Sequence, residues 1–265
     1  DISGAAIQAD NMYSAVRAFT ILSGNVPTDV VVTDTAALEA ALANAKAGDL
    51  VILEEGNYGT IAIDEKLNGV TILGNGAEIS GIAIAAAAEL KNVTFSGLDV
   101  SGASGSALFS IASGAKVEDV LVEDCTFTGN AGNPQAAVNI GVKTAKITFS
   151  SCEFNNTKYG FYNSGIVPQR LTIEGCAFKN NSSWAMLLNN YFNGDEEVSV
   201  INCSFDNCAG GLVKILGTNS AEGEFTFVGN KITNSKGHDG KEAEWLWIMK
   251  PANITVSGNT LDGAA

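Results

Sequence analysis

Apolar and polar residues alternate along most of this chain in short runs that end in the same way each time. In LTIEGCAFKN (Leu171–Asn180) an alternating run is followed by a small residue, a Cys, an aromatic residue two places on, and Asn. The same pattern recurs in VLVEDCTFTGN ending at Asn130, ITFSSCEFNN at Asn156, VSVINCSFDN at Asn207, FTFVGNKITN at Asn234 and ITVSGNTLDG at Gly263. Weaker copies begin at Val70 (VTILGNGAEI) and Val93 (VTFSGLDVSG). The aligned positions are Asn75, Leu98, Cys125, Cys152, Cys176, Cys203, Asn230 and Asn259, with steps of 23, 27, 27, 24, 27, 27 and 29 residues. A strand-like unit of this length, repeated, is one coil of a solenoid, because a single coil has no partner for its apolar face until the next one stacks on it. The pattern predicts an all-β fold, a single-stranded right-handed parallel β-helix, with its coils running from about residue 50 to 262.

Helical periodicity occurs once, in TAALEAALANAKAGD (Thr35–Asp49), where Leu38, Ala41, Leu42 and Ala45 share a face and Gly48 is placed to stop the helix. This segment is expected to cap the N-terminal end of the rod. Four of the five Cys fall on the repeated position. Side chains stacked at the ~4.8 Å strand spacing run parallel instead of converging, which predicts buried free thiols with Asn75, Asn230 and Asn259 as amide equivalents at the ends. Cys208, five places after Cys203, is expected in a turn and open to reagents.

The formal net charge of −14, from 15 Lys plus Arg against 29 Asp plus Glu, argues against a nucleic-acid partner, since phosphate binding needs a basic field. No apolar run is long enough to span a membrane as a helix. Each coil carries a further strand after the Cys position: ALFSI, AAVNI, GFYNS, WAMLLNNY, GLVKIL and EWLWIMK. Its outward positions are the first candidates for ligand contact: Tyr159, Tyr162, Asn163, Trp184, Asn189, Asn190, Tyr191, Lys214, Trp245 and Trp247, with Lys250 at the end. Aromatic faces cover the apolar faces of sugar rings and amides bond their hydroxyls, so an oligosaccharide or polysaccharide suits this set. The competing reading is that the three Trp are packing residues. In EWLWIMK, period two predicts that Trp245 and Trp247 share one face, and Leu246 and Ile248 the other.

Catalytic groups are sparse. Abstraction of a proton beside a sugar carboxylate needs a base and a cation such as Ca²⁺ or Arg to neutralise the developing charge. The candidates are Arg170, Lys214, His238 and Lys250, and the polar segment KGHDGKEAE (Lys236–Glu244) also reads as a solvated turn. No paired Asp residues of the kind a glycosidase uses lie adjacent in the sequence. No metal or cofactor is expected, Ca²⁺ excepted if the chain were a lyase.

Residues Val30–Ile63, a strand, an amphipathic helix, AGD, an apolar strand and EEGNYG, resemble the opening of pectin-lyase-like right-handed β-helices and, distantly, of polysaccharide lyase family 6. The run IQADNMYSAVRAF (Ile7–Phe19) resembles the closing strand of a fibronectin type III domain, with Ala9 where that family has Pro. Residues 1–25 are therefore expected to be a cap or the remnant of such a domain, and residues 26–265 the β-helix. The combination resembles surface lipoproteins of glycan-degrading gut bacteria. That resemblance implies a secreted or cell-surface polysaccharide-binding protein without clear catalytic machinery, with a polysaccharide lyase and a structural spacer as alternatives.

Overall fold

The structure, a computed structural model, describes residues 28–102, 106–130, 135–142, 146–163, 168–189, 194–216, 222–237, 245–249 and 253–262. Residues 1–25 and the candidates Asn190, Tyr191, His238 and Lys250 lie outside them. The described chain winds into a right-handed parallel β-helix in which every strand pairs with its counterparts in the neighbouring coils. Among the described residues, ten parallel strands form the first sheet, running from Asp29–Val32 through Val120–Glu123, Ile147–Ser150 and Arg170–Glu174 to Asn253–Ser257. A second sheet bends at Ala77–Ile84 into two limbs. One limb holds the short strands that follow the Cys position, such as Thr126–Thr128 and Ala177–Lys179. The other holds Ala107–Ile111, Ala136–Ile140, Tyr159–Asn163, Met186–Asn189, Val213–Leu216 and Leu246–Ile248. Three short strands, Lys66–Asn68, Glu89–Lys91 and Lys116–Glu118, make a third sheet over the early coils.

The aromatic residue two places after the Cys position is the backbone of the core. Phe127, Phe154, Phe178 and Phe205 stack up the axis, with Phe127 and Phe154 5.6 Å apart and Phe178 and Phe205 4.8 Å apart, the two pairs nearly coplanar at 8° and 6°. The Asn that closes the motif is a turn residue: Asn156, Asn180, Asn207 and Asn234 have φ between 48° and 57°, a left-handed conformation that Asn tolerates better than most side chains.

The repeated Cys and Asn form one internal ladder. Asn230 Oδ1 accepts the Cys203 N–H at 2.8 Å, and its Nδ2 donates to the Val200 carbonyl at 3.1 Å. Cysteine performs the same two tasks with longer bonds: the Cys152 N–H donates to Cys176 Sγ at 3.3 Å, and Cys176 Sγ donates to the Phe149 carbonyl at 3.5 Å. All five thiols are free and buried. Cys208 is fully buried, contrary to its expected exposure, because it belongs to a second ladder with Thr157, Asn181 and Ser235 that repeats five residues after the first. Burial pushes its thiol up to about 12. Asn75 departs from the expectation in the other direction: it is exposed, so the inward ladder begins at Leu98.

The helix spans Thr35–Asn44, with Asp34 accepting the Ala37 N–H at 2.8 Å as N-cap. Leu38 and Leu42 are buried against the first coil. The helix ends at the Ala45 cap, before Gly48, whose φ of 93° instead serves the turn into Leu50–Leu53.

Candidate functional site

The limb of the second sheet from Ala107–Ile111 to Leu246–Ile248 carries most of the chemistry-bearing side chains. Its register stacks Ala83, Ser110, Asn139, Tyr162, Leu187, Lys214 and Trp247 in one row across successive coils, each the cross-strand partner of the next. This row faces outward. The residues that flank it, Phe109, Val138, Phe161, Met186 and Val213 on one side and Ile111, Ile140, Leu188 and Ile215 on the other, are buried in the main core.

Period two fails at the start of these strands. Leu108, Ala137, Ala185 and Leu212 are inward although each precedes an inward residue, and a Cβ built on Gly160 would meet the Phe178 ring at 2.5 Å. Two consecutive residues thus point into the core where the chain comes off the preceding bend. The residue before them is turned out instead: Ala136, Tyr159 and Trp184 form a satellite cluster on the outer surface with Tyr162 and Leu187 packed on it.

That break corrects three expectations. Trp245 does not share a face with Trp247, because it stands beside Leu212 in the doubled inward row and packs against the main core with Leu246 and Ile248. Asn163 is fully buried between Ile140 and Leu188, where its amide donates to the Asn189 carbonyl at 3.0 Å. Trp184 lies on the outer side yet is only 4% exposed. Its ring occupies space that a Cβ on Gly211 would enter at 2.5 Å, so this glycine, at φ 109°, is what admits the indole.

The accessible part is compact. Trp247 is 39% exposed, and Lys214 Nζ sits 4.2 Å from its ring centroid and 5.6 Å from that of Trp184. The ammonium thus bridges two indoles from the coils on either side of its own, an arrangement in which each ring face stabilises the charge. Tyr162 stacks on Tyr159 at 5.4 Å and 23°, and Lys158 Nζ lies 5.2 Å from the Tyr159 centroid. Asn189 is half-buried at the margin of the row.

Arg170 is elsewhere. It lies on the first sheet, exposed, with Nε 2.6 Å from Glu197 Oε2 and Nη2 2.9 Å from Oε1. The pair raises the guanidinium and holds the Glu197 carboxyl below its usual range. The fold therefore does not bring Arg170 and Lys214 to one surface. No cluster of three or more His, Cys, Asp or Glu able to hold a metal occurs among the described residues, and none of their helices is long and apolar enough to cross a membrane.

Residues 51–261 match the family of right handed beta helix regions. The chain belongs to that family. No curated protein matches its sequence. Among solved β-helices, it is similar to the Bacillus sp. N165 pectate lyase Bsp165PelA in complex with trigalacturonate: TM-score 0.56 and 12% identity, over 91% of this chain and 85% of that one. It is also similar to pectate lyase Pel9A (TM-score 0.40, 12% identity, 90% and 81% covered) and to the PL6 family alginate lyase AlyGC (0.37, 16%, 88% and 39%). At these identities the likeness is one of fold. The β-helix architecture was legible in the sequence; the row through Asn139 was not. Matching AAVNI to GFYNS is one residue out of register, since Ala136 pairs with Tyr159, and only the correct register brings Asn139 beside Tyr162.

Proposed function

We propose that this β-helix protein binds an extended polysaccharide or oligosaccharide along the outward row of Tyr162, Lys214 and Trp247, without performing chemistry on it. The observation that carries the reading is the exposed Trp247 indole with the Lys214 ammonium 4.2 Å away, in one register row with Tyr162. Tyr162 and Trp247 are separated by three coil steps, on the order of 14 Å at ~4.8 Å each, which suits several sugar residues better than a small metabolite. An aromatic face covers the C–H face of a pyranose, and Lys214 and Asn189 offer donors to hydroxyls at its edge. The pectate lyase neighbour was solved with trigalacturonate, so an oligosaccharide ligand on a scaffold of this fold is consistent with this use. The separation of Arg170 from Lys214 favours binding over lyase chemistry. On this reading the expected location is outside the cell or at a bacterial outer surface, where polysaccharides are met, and the acidic net charge of −14 is compatible with it.

A glycan array, followed by titration with cellohexaose, xylohexaose, mannohexaose and trigalacturonate, tests the reading. Trp247→Ala is expected to weaken binding of the preferred oligosaccharide by about fivefold to tenfold, since one exposed stacking contact contributes ~1 kcal/mol, with the thermal midpoint within about 2 °C of the parent. Appearance of an unsaturated uronate product would replace the binding reading with the lyase. No binding to any glycan, together with loss of several degrees in Trp247→Ala, would make Trp247 a packing residue and the rod a spacer.

A further inference from the structure

Asn139 sits in the middle of the outward row, between Ser110 and Tyr162, and its side-chain carbonyl is closed off from solvent without a hydrogen-bond partner among the described residues. Asn163, Asn181 and Asn230, the buried amides elsewhere in the rod, all have partners. An orphaned acceptor is costly, because the group has given up water and received nothing in exchange. A Leu or Val would fill the same strand position without that cost. The Ser110 hydroxyl next to it in register makes no side-chain hydrogen bond among the described residues either. Two uncommitted polar side chains therefore stand in register on the side of Tyr162 away from Trp247, Asn139 one coil and Ser110 two coils from it.

Resting on the binding reading above, we infer that Asn139 is a specificity-determining residue of the glycan row: its amide hydrogen-bonds the hydroxyl edge of a pyranose whose face lies against Tyr162. The terminal torsion of an Asn is broad, so a rotation that brings Oδ1 to the solvent side lets a ligand hydroxyl donate to the acceptor that lacks a partner in the free protein. A hydroxyl is both donor and acceptor and satisfies whichever end it meets. Asn139 is one coil from Tyr162 and four from Trp247, so the occupied strip lengthens to on the order of 19 Å along the axis. The ligand is accordingly a chain with free ring hydroxyls at the Asn139 end, and an analogue deoxygenated or methylated on that ring binds worse.

The signature is that stability and affinity move in opposite directions. Asn139→Leu is expected to raise the thermal midpoint by about 2–4 °C, since the orphaned acceptor disappears, and to weaken binding of the oligosaccharide preferred by the parent about tenfold. Asn139→Ala, which removes the amide without adding bulk, is expected to lose the same affinity and guards against the larger side chain blocking the row. Unchanged affinity in both variants, with the parent binding normally and Trp247→Ala impaired, overturns the role of Asn139 and leaves the binding reading standing. A fall in midpoint in both variants makes Asn139 a structural amide and overturns the inference. If the parent binds no member of the panel, both readings fall together.

Discussion

Asn230 separates two explanations of what the internal ladder does. Its side chain is fully buried, accepts the Cys203 N–H at 2.8 Å, and donates to the Val200 carbonyl at 3.1 Å and to Asn259 Oδ1 at 3.0 Å. If these bonds hold neighbouring coils together, Asn230→Ala orphans a backbone donor and a backbone acceptor in the core. Each orphan costs about 1–3 kcal/mol, for a total of roughly 2–6 kcal/mol. For a chain of this size that corresponds to a midpoint lower by about 5–15 °C. Asn230→Leu fills the volume but restores neither bond, so it is expected to cost nearly as much. Asn230→Cys restores both in the longer form already seen at Cys176, where the accepted N–H lies at 3.3 Å and the acceptor carbonyl at 3.5 Å, and is expected to cost only about 1 kcal/mol. Denaturant unfolding ranks the variants. Because a solenoid unravels from its ends, amide hydrogen exchange at Cys203 supplies the local measurement: protection is kept in the parent and Cys variant and lost in the Ala and Leu variants. If Leu proves as stable as Cys, the ladder acts by filling space and the hydrogen-bond argument is wrong.

Native protein treated with a thiol reagent near neutral pH is expected to label none of the five Cys within minutes and all five after denaturation, since every thiol is buried and Cys208 is pushed up to about 12; rapid native labelling of any of them contradicts the ladder geometry. Gly211→Ala combines a φ of 109° with a Cβ 2.5 Å from the Trp184 ring, so a loss of about 2 kcal/mol or more is expected, with a shift in Trp fluorescence as the indole is displaced; a neutral Gly211→Ala would mean that Trp184 is not fixed there.

The sequence by itself determined the architecture. Alternation specifies strands, the 23–29 residue recurrence specifies coils, and the run from Leu38 to Leu42 specifies the capping helix, because each is a relation between residues close along the chain. The same locality explains why four thiols at one repeated position could be read as a buried ladder. The tertiary structure alone decided which outward-reading residues are accessible. Trp245 and Trp247 stand two apart in sequence and on opposite sides of the wall, since two successive residues turn inward at the start of these strands as the chain leaves a bend. Cys208 and Asn163 are buried for reasons that lie one coil away, in Ser235 and Asn189. Asn139 meets Tyr162 only through a register set by the lengths of the connecting loops. Periodicity along the chain says which way a residue faces in an ideal strand, whereas contact between coils depends on registers that no single coil contains.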